Sequence, residues 1–317
     1  ADGRDQAGTI WLDDLDIATP AETPADAVLY SGQPNAVRVQ RAHASHKGTG
    51  GDVLVLGGQG IDRSGAGMTG AAVLAARAAL HTGAGRVYLG LLDGVDAASQ
   101  TGWDPVCPEL MVRTPAALLG KHWPDQAAVV CGCGGGDAVA SLLPAVIERA
   151  HRLVLDADGL NHVAVDERLQ ATLRQRRMLG LATVLTPHPL EAARLLGTDT
   201  ATVMSDRLQA ARALSERFGA ICVLKGSGTV ISAPGEPPLI NASGNALLAS
   251  AGTGDVLAGM IGAALAQATP EEPTRLRVAD AVWRHGWLAD RWLAFCQQTG
   301  STAPLTADRL ARGISPA

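Results

Sequence analysis

A chain of 317 residues, 47% hydrophobic and 18% charged, can bury a sizeable core in one large domain and is too apolar to stay disordered. Its 26 basic residues against 31 acidic ones give a net charge of −5, which leaves no basic surplus for a nucleic-acid backbone. No apolar run approaches the roughly 18 residues of a membrane span.

The segment Thr9–Asp16 is acidic and apolar and reads as a strand or turn, followed by a Pro- and Ala-rich linker, Ala18–Pro34. Residues 1–40 are therefore taken as an N-terminal segment and 41–317 as the compact domain. Short apolar runs then alternate with helical spacing. Val53–Leu56, Val87–Leu91, Ala127–Cys131, Leu153–Leu155, Ala182–Leu185 and Ile221–Leu224 read as strands. Ala71–His81, Ala138–Ala150, Leu190–Leu196, Asp206–Phe218 with Ser205 as its N-cap, Val256–Gln267 and Val278–Cys296 read as helices. Continuously apolar strands between helices indicate an α/β fold with a parallel sheet covered on both faces. Ligands of such sheets bind beyond the carboxyl ends of the strands, here Gly57, Gly132, Asp156, Thr186 and Lys225.

Thirty-seven glycines beside two Phe, two Tyr and six Trp imply close backbone approaches around a core of Ala, Val, Leu and Ile. The five cysteines, at 107, 131, 133, 222 and 296, are odd in number and form no CxxC pair, so reduced core thiols are expected. No basic and apolar leader opens the chain, and a cytoplasmic location is expected. Trp283, Trp287 and Trp292 on the last long helix serve either the core or an oligomer contact, and a homo-oligomer is expected.

Five groups of residues could carry chemistry. In Ala251-Gly252-Thr253-Gly254-Asp255, two glycines before an apolar helix make a cradle of amides suited to phosphate, and Asp255 there reads as a base taking a proton from an attacking hydroxyl. Lys225-Gly226-Ser227-Gly228-Thr229 offers ammonium, hydroxyl and amide donors to phosphates, or else is a β-hairpin turn. Lys47-Gly48-Thr49-Gly50 repeats its pattern, and these two lysines and Lys121 are the only three in the chain. His188, between Pro187 and Pro189, and Glu191 form either a ligand site or the first turn of a helix. Asp156 and Asp158 fall on one side if their strand continues, which would suit Mg²⁺, although a turn rich in Asp and Gly looks the same. Gly65, Gly67 and Gly70 imitate the GxGxxG fingerprint with Asp93 downstream, but they fall too far past the strand end for a dinucleotide cofactor.

The segments Ser45–Gly48, Val55–Gly58, Gly70–Ala72, Asp156–Asn161, Thr186–Glu191, Ala192–Gly197, Val223–Thr229 and Gly252–Gly259 stand in the order found in ADP/ATP-dependent NAD(P)H-hydrate dehydratases, which this chain resembles from about residue 41 to 300. The resemblance implies a ribokinase-like three-layer α/β/α sandwich with a mostly parallel central sheet. It also implies repair of hydrated NADH and NADPH, with ADP (or ATP) as co-substrate and Mg²⁺. Asp255 resembles the family's catalytic aspartate, with Gly252, Thr253 and Gly254 as the anion hole. Lys225, Gly226, Ser227, Gly228, Thr229 and Gly254 match nucleotide contacts, and Ala71, Gly136, His188 and Asp255 match substrate contacts. The chain departs from the family pattern at Ala251 (glycine in the family), at Cys133–Gly136 (Pro-Gly-Leu-Gly) and at Leu190 (glycine). Thr9–Ile17 is similar to the end of the epimerase domain of bifunctional repair proteins, so the chain is expected to be, or to descend from, the C-terminal half of one. The alternative is a small-molecule kinase of the same fold, acting on a sugar or vitamin-precursor alcohol.

Overall fold

The computed structural model describes residues 25–32, 46–61, 65–92, 104–120, 126–269 and 272–313, with the isolated positions 13, 15, 43 and 123. Most of Thr9–Ile17, Lys121 and Asp93 lie outside the described residues. Among the described residues ten strands form one sheet: β1 (Val28–Tyr30), β2 (Asp52–Gly57), β3 (Arg86–Leu91), β4 (Met111–Val112), β5 (Ala128–Cys131), β6 (Arg152–Leu155), β7 (Ala182–Leu185), β8 (Ile221–Leu224), β9 (Val230–Ser232) and β10 (Leu239–Asn241). Their order is β1-β10-β9-β8-β7-β6-β5-β2-β3-β4. All neighbours from β8 through β4 run parallel, while β9 is antiparallel to both β8 and β10.

The strands are continuously apolar because both faces are covered. Along β2, Val53 and Val55 point into the core beneath α1 (Thr69–His81) and α9 (Thr253–Ala266), whereas Leu54 and Leu56 point to the opposite core. That second core is closed by α3 (Leu143–Arg149), α5 (Glu167–Met178), α6 (Pro189–Leu196) and α8 (Arg207–Phe218). The remaining helices are α2 (Pro115–Leu119), α4 (Asp158–Val165), α7 (Thr200–Ser205), α10 (Thr274–Thr299) and α11 (Ala307–Ala311). The result is the three-layer α/β/α sandwich expected from the alternation of elements. No helix among the described residues is long and apolar enough to cross a membrane. All five cysteines are unpaired, and four are buried.

Several local expectations change. Val28–Tyr30, inside the expected linker, is a strand pairing in parallel with β10. The helix after Ser205 is capped by Asp206, whose carboxylate accepts from the Gln209 amide, while Ser205 ends α7. The segment expected to be one helix over 138–150 splits into a 3-10 turn, Gly136–Ser141, and α3, because Pro144 can occupy only a first helical turn. Helices α4 and α5 have no counterpart in the sequence reading. Helix α4 is short and opens inside the Asp- and Gly-rich segment that reads as a turn, and α5 is rich in charged residues with weak helical periodicity. Trp292 is buried, with its indole N–H donating to the Ala303 carbonyl, whereas Trp287 stacks on Trp283 and remains 37% exposed.

Helix α9 is apolar on all sides, as a helix enclosed by sheet and helices must be. It is brought against α1 at Gly259, where an added Cβ would collide with the Ala75 carbonyl, and against the sheet at Gly262, where it would meet Val130. Gly259→Ala is expected to cost about 1–3 kcal/mol by overpacking and to lower the thermal midpoint by several degrees. Gly70→Ala, in the first turn of α1 with open space around its Cβ, should leave the midpoint unchanged or slightly raised. Thermal unfolding of the two variants checks the packing.

Candidate active site

The carboxyl ends of β5, β6, β7 and β8 converge under the N-terminus of α9, and each contributes one group just past its last residue. Lys225, after β8, extends its ammonium to Asp156, after β6, at 2.6 Å, and lies 3.9 Å from Glu191 of α6. Asp156 is almost wholly buried, and its Oδ1 also accepts the hydroxyl of Thr186, which follows β7, at 2.8 Å. Cys133, after β5, places its Sγ 3.8 Å from Asp156 Oδ2. The side-chain donor atoms of Cys133, Asp156 and Asp255 lie within 4.8 Å of one another.

The backbone is arranged to allow this convergence. Gly252 takes a left-handed conformation (φ 88°) and starts α9 with no side-chain cap; the Thr253 amide bonds the Ser250 carbonyl at 3.4 Å, and the Gly254 and Asp255 amides that follow have no side-chain acceptor. His285 of α10, buried, bonds the Thr253 carbonyl at 2.9 Å, and burial lowers its pKa to about 4, which keeps the ring neutral. Between Asp156 and Asp158, Ala157 adopts φ 47° and ψ −118°, a region costly for a residue with a Cβ. The strand ends at Leu155, so the two aspartates do not share a strand face. Asp158 opens α4 and accepts the Gly136 amide at 2.8 Å.

One cation serves several acids here, and the charges are shared unequally. Burial pushes the Asp255 carboxyl up to about 6, with the neighbouring Asp156 charge adding to it and Cys133 and Lys225 opposing it. Burial likewise pushes Glu191 up to about 7 against the pull of Lys225. The Lys225 ammonium loses solvation, but Asp156 and Glu191 more than compensate and raise its pKa. The Cys133 thiol is held well above its ordinary value by burial and the adjacent carboxylates. His188 is lowered by burial and by Lys225.

The residues expected from the sequence fall into two groups. Asp255, Gly252, Thr253, Gly254 and Lys225 come together: a Cβ at Gly254 would sit 3.5 Å from the Lys225 ammonium. Gly226, Ser227, Gly228 and Thr229 form the turn of the antiparallel β8–β9 hairpin, closed by the Thr229 hydroxyl on the Gly226 carbonyl at 2.9 Å and gripped by Arg207 at the Ser227 carbonyl. His188 caps α6, its Nδ1 accepting from the Leu190 and Glu191 amides, while Glu191 returns a bond from the His188 amide at 2.8 Å. Ala71 lies in the first turns of α1, and Gly136 (φ 51°) donates to Asp158 and accepts from or faces His162 at 3.0 Å. Lys47 is not brought to this site: it precedes β2 at the amino edge of the sheet, beside Arg86 and Tyr88. Cys133 was not singled out as a site residue by the sequence, and Glu191 entered only beside His188, in either a ligand site or a helix start. Glu191 reads as an ordinary helix-dipole acid, and the apolar Cys131–Cys133 stretch reads as core.

Among the described residues the cluster Cys133, Asp156 and Asp255 fits a protein-held magnesium ion poorly, since Mg²⁺ prefers a near-octahedral set of oxygens, Cys133 offers a protonated thiol, and Asp156 already accepts from Lys225 and Thr186.

Residues 53–312 match the sequence profile of the NAD(P)H-hydrate dehydratase family. The chain belongs to this family. It is 40% identical over 274 residues to the ADP-dependent (S)-NAD(P)H-hydrate dehydratase of Neisseria meningitidis, covering 86% of each chain. It is 38% identical to the bifunctional NAD(P)H-hydrate repair enzyme of Gloeobacter violaceus, of which it spans only 53% while 89% of this chain is matched. Among solved structures, an ADP/ATP-dependent NAD(P)H-hydrate dehydratase from Bacillus subtilis co-crystallized with ATP and Mg²⁺ superposes with a TM-score of 0.65 at 28% identity, covering 86% of this chain and 91% of that one. A ribokinase-like superfamily protein from Enterococcus faecalis, with a TM-score of 0.64 at 22% identity over 86% and 88% of the two chains, shares the fold. The dehydratase family membership and the ribokinase-like sandwich thus both agree with the collinear motifs of the sequence.

The raised Glu191 carboxyl has a consequence for stability. Its folded pKa, about 7, exceeds the ordinary 4.5, so the stability it contributes is complete below about pH 4.5 and is lost as pH rises through 7. Glu191→Gln removes that loss. Between pH 5 and pH 8 the stability difference between variant and wild type is expected to move toward the variant, by at most about 3 kcal/mol. Denaturant unfolding at both pH values checks this, and parallel curves would contradict the burial of an ionising Glu191.

Proposed function

We propose that the protein returns hydrated NADH and NADPH to the dihydronicotinamide forms in an ADP-dependent dehydration, with Asp255 as the general base. The observation that carries this reading is Asp255 itself, a half-buried carboxylate in the first turn of a helix that has no side-chain cap. A carboxylate beside bound phosphate hinders binding unless it takes a proton, and a pKa near 6 lets it do so at neutral pH.

In this reading the ring hydroxyl of the hydrated nicotinamide attacks the terminal phosphoryl of the nucleotide while Asp255 accepts the hydroxyl proton. A new O–P bond forms and the bond from the terminal phosphorus to the bridging oxygen breaks, so AMP leaves from ADP. The ring-nitrogen lone pair then expels the phosphate, and loss of a proton from the adjacent ring carbon restores the dihydronicotinamide. The amides of Gly252–Asp255 hold the charge that develops on the transferring group, an effect worth about 10² to 10³ in rate for a single donor. Lys225 and the hairpin turn through Thr229 are assigned to the nucleotide. Ala71, Gly136 and the neutral His188 are assigned to the substrate. The Bacillus subtilis relative was co-crystallized with ATP and Mg²⁺; with no protein cage for it here, magnesium is taken to enter with the nucleotide phosphates.

Asp255→Asn is expected to keep nucleotide affinity and to lose at least about a hundredfold in turnover. In the wild type kcat/KM should fall as pH drops below about 6, where Asp255 is protonated. Steady-state rates with hydrated NADH and ADP, together with calorimetric nucleotide binding, test both, and near-normal turnover in the variant would remove Asp255 from the reaction.

A further inference from the structure

We propose that the cavity between Lys47 and the β3–β4 edge of the sheet is a second anion site, fitted to a small phosphate monoester carried on an apolar or aromatic body. It is walled by Lys47, Arg86, Tyr88, Met111, Arg113 and Leu118 and has a volume of about 290 Å³, at the small end of ligand pockets. Strand β2 separates it from β5–β8, past whose ends the candidate active site is built, and no step of the proposed reaction uses it.

The strand pattern makes the floor. Val87 and Leu89 turn into the core beneath α1, so Arg86 and Tyr88 turn to the other face of β3. Tyr88 packs there against the core that includes Leu118 of α2, and the register sets Met111 of the edge strand β4 opposite Tyr88. Three cations rim this floor, each on a fixed mount. Arg86 is oriented by Asp52, its Nε donating to Oδ1 at 2.7 Å and its Nη2 to Oδ2 at 2.5 Å, which leaves the two Nη1 hydrogens for another acceptor. Arg113 donates from Nη1 to the Val112 carbonyl at 2.9 Å, and its amide bonds the Leu89 carbonyl at 3.0 Å. Lys47 opens a 3-10 turn, Lys47–Gly50, that is capped by His46 and pressed against Gly85, where an added Cβ would collide with the Lys47 carbonyl. Among the described residues no carboxylate pairs with Lys47 or Arg113, and Asp52 is the acid beside Arg86.

Three cations against one carboxylate leave a local surplus of two positive charges on a chain whose net charge is −5. That surplus matches a phosphate monoester dianion. The guanidinium forks and the ammonium supply charge-assisted donors, and Tyr88 and Met111 offer its body an aromatic and apolar surface. The site also gives a use to Lys47-Gly48-Thr49-Gly50, which copies the Lys225 loop in sequence yet is not brought to the candidate active site.

The test is calorimetric titration of the full chain with phenyl phosphate, in the wild type, Lys47→Gln, Arg113→Gln and the double variant. Both replaced side chains are exposed, so the fold should be kept, whereas Arg86 is left in place because its loss would strand Asp52. Each single variant should weaken phenyl phosphate binding at least about fivefold, and the double variant should remove it from this cavity, while ADP affinity and the thermal midpoint stay at wild-type values. Inorganic phosphate, which lacks the body, and benzoate, which carries one charge, should each bind several-fold more weakly than phenyl phosphate. Raising the salt to about 1 M, where the screening length is about 3 Å, should weaken wild-type binding. No binding, or equal affinity in the wild type and the double variant, would reduce the three cations to charges that keep the β4 edge from pairing and overturn the proposal. Equal losses for ADP and phenyl phosphate would place the probe in the active site and overturn it as well. None of these readouts needs turnover, so the outcome is independent of the assigned reaction.

Discussion

One ammonium group among several buried carboxylates is the constraint on which the site depends. Lys225 sits where four parallel strands end, and the sheet order β8-β7-β6-β5 delivers Asp156, Thr186, Glu191 and Cys133 around it. Removing a carboxylate from water costs several kcal/mol, and a single cation cannot repay that for every acid. Lys225 goes to Asp156 at 2.6 Å, with a hydroxyl completing that carboxylate's bonds. Asp255 and Glu191 receive less and are pushed up, to about 6 and about 7. Both are thereby left as stronger bases than an ordinary carboxylate. Lys225 carries this allocation whether or not it also touches a phosphate.

The helix that presents Asp255 is held by packing. Gly259 and Gly262 let α9 lie against α1 and the sheet closely enough that its first turn reaches the strand ends, and His285 fixes the Thr253 carbonyl from behind. The glycines of this chain therefore work in two ways. Those inside α9 remove side chains so that a backbone can approach, while Gly252 takes a conformation that opens the amide cradle.

Much of this was legible in the amino-acid sequence, for physical reasons that can be named. Strands covered on both faces announce themselves as apolar runs, and the rule that ligands sit beyond their carboxyl ends pointed to Asp156, Thr186 and Lys225 without any coordinates. Asp255 stood out because a carboxylate among glycines before an apolar helix conflicts with anion binding alone. Cys133 did not stand out, and Glu191 did so only beside His188, since their surroundings come from segments 23 or more positions away. That Asp158 opens a helix and does not continue the strand before Asp156 was hidden for another reason: alternation along a strand gives no warning that Ala157 takes a positive φ. The resemblance between Lys47–Gly50 and Lys225–Gly228 misled in the opposite way, because the two segments lie at opposite ends of their strands.

The central claim is that this arrangement dehydrates a hydrated dihydronicotinamide by way of a transient phosphate ester. The most direct measurement is to incubate the wild-type protein with hydrated NADH and ADP, following dihydronicotinamide absorbance and the phosphorus-containing products together. The account predicts that absorbance returns as AMP and inorganic phosphate appear in equal amounts. A phosphoester that accumulates without any return of absorbance would contradict it and leave a kinase of the same fold.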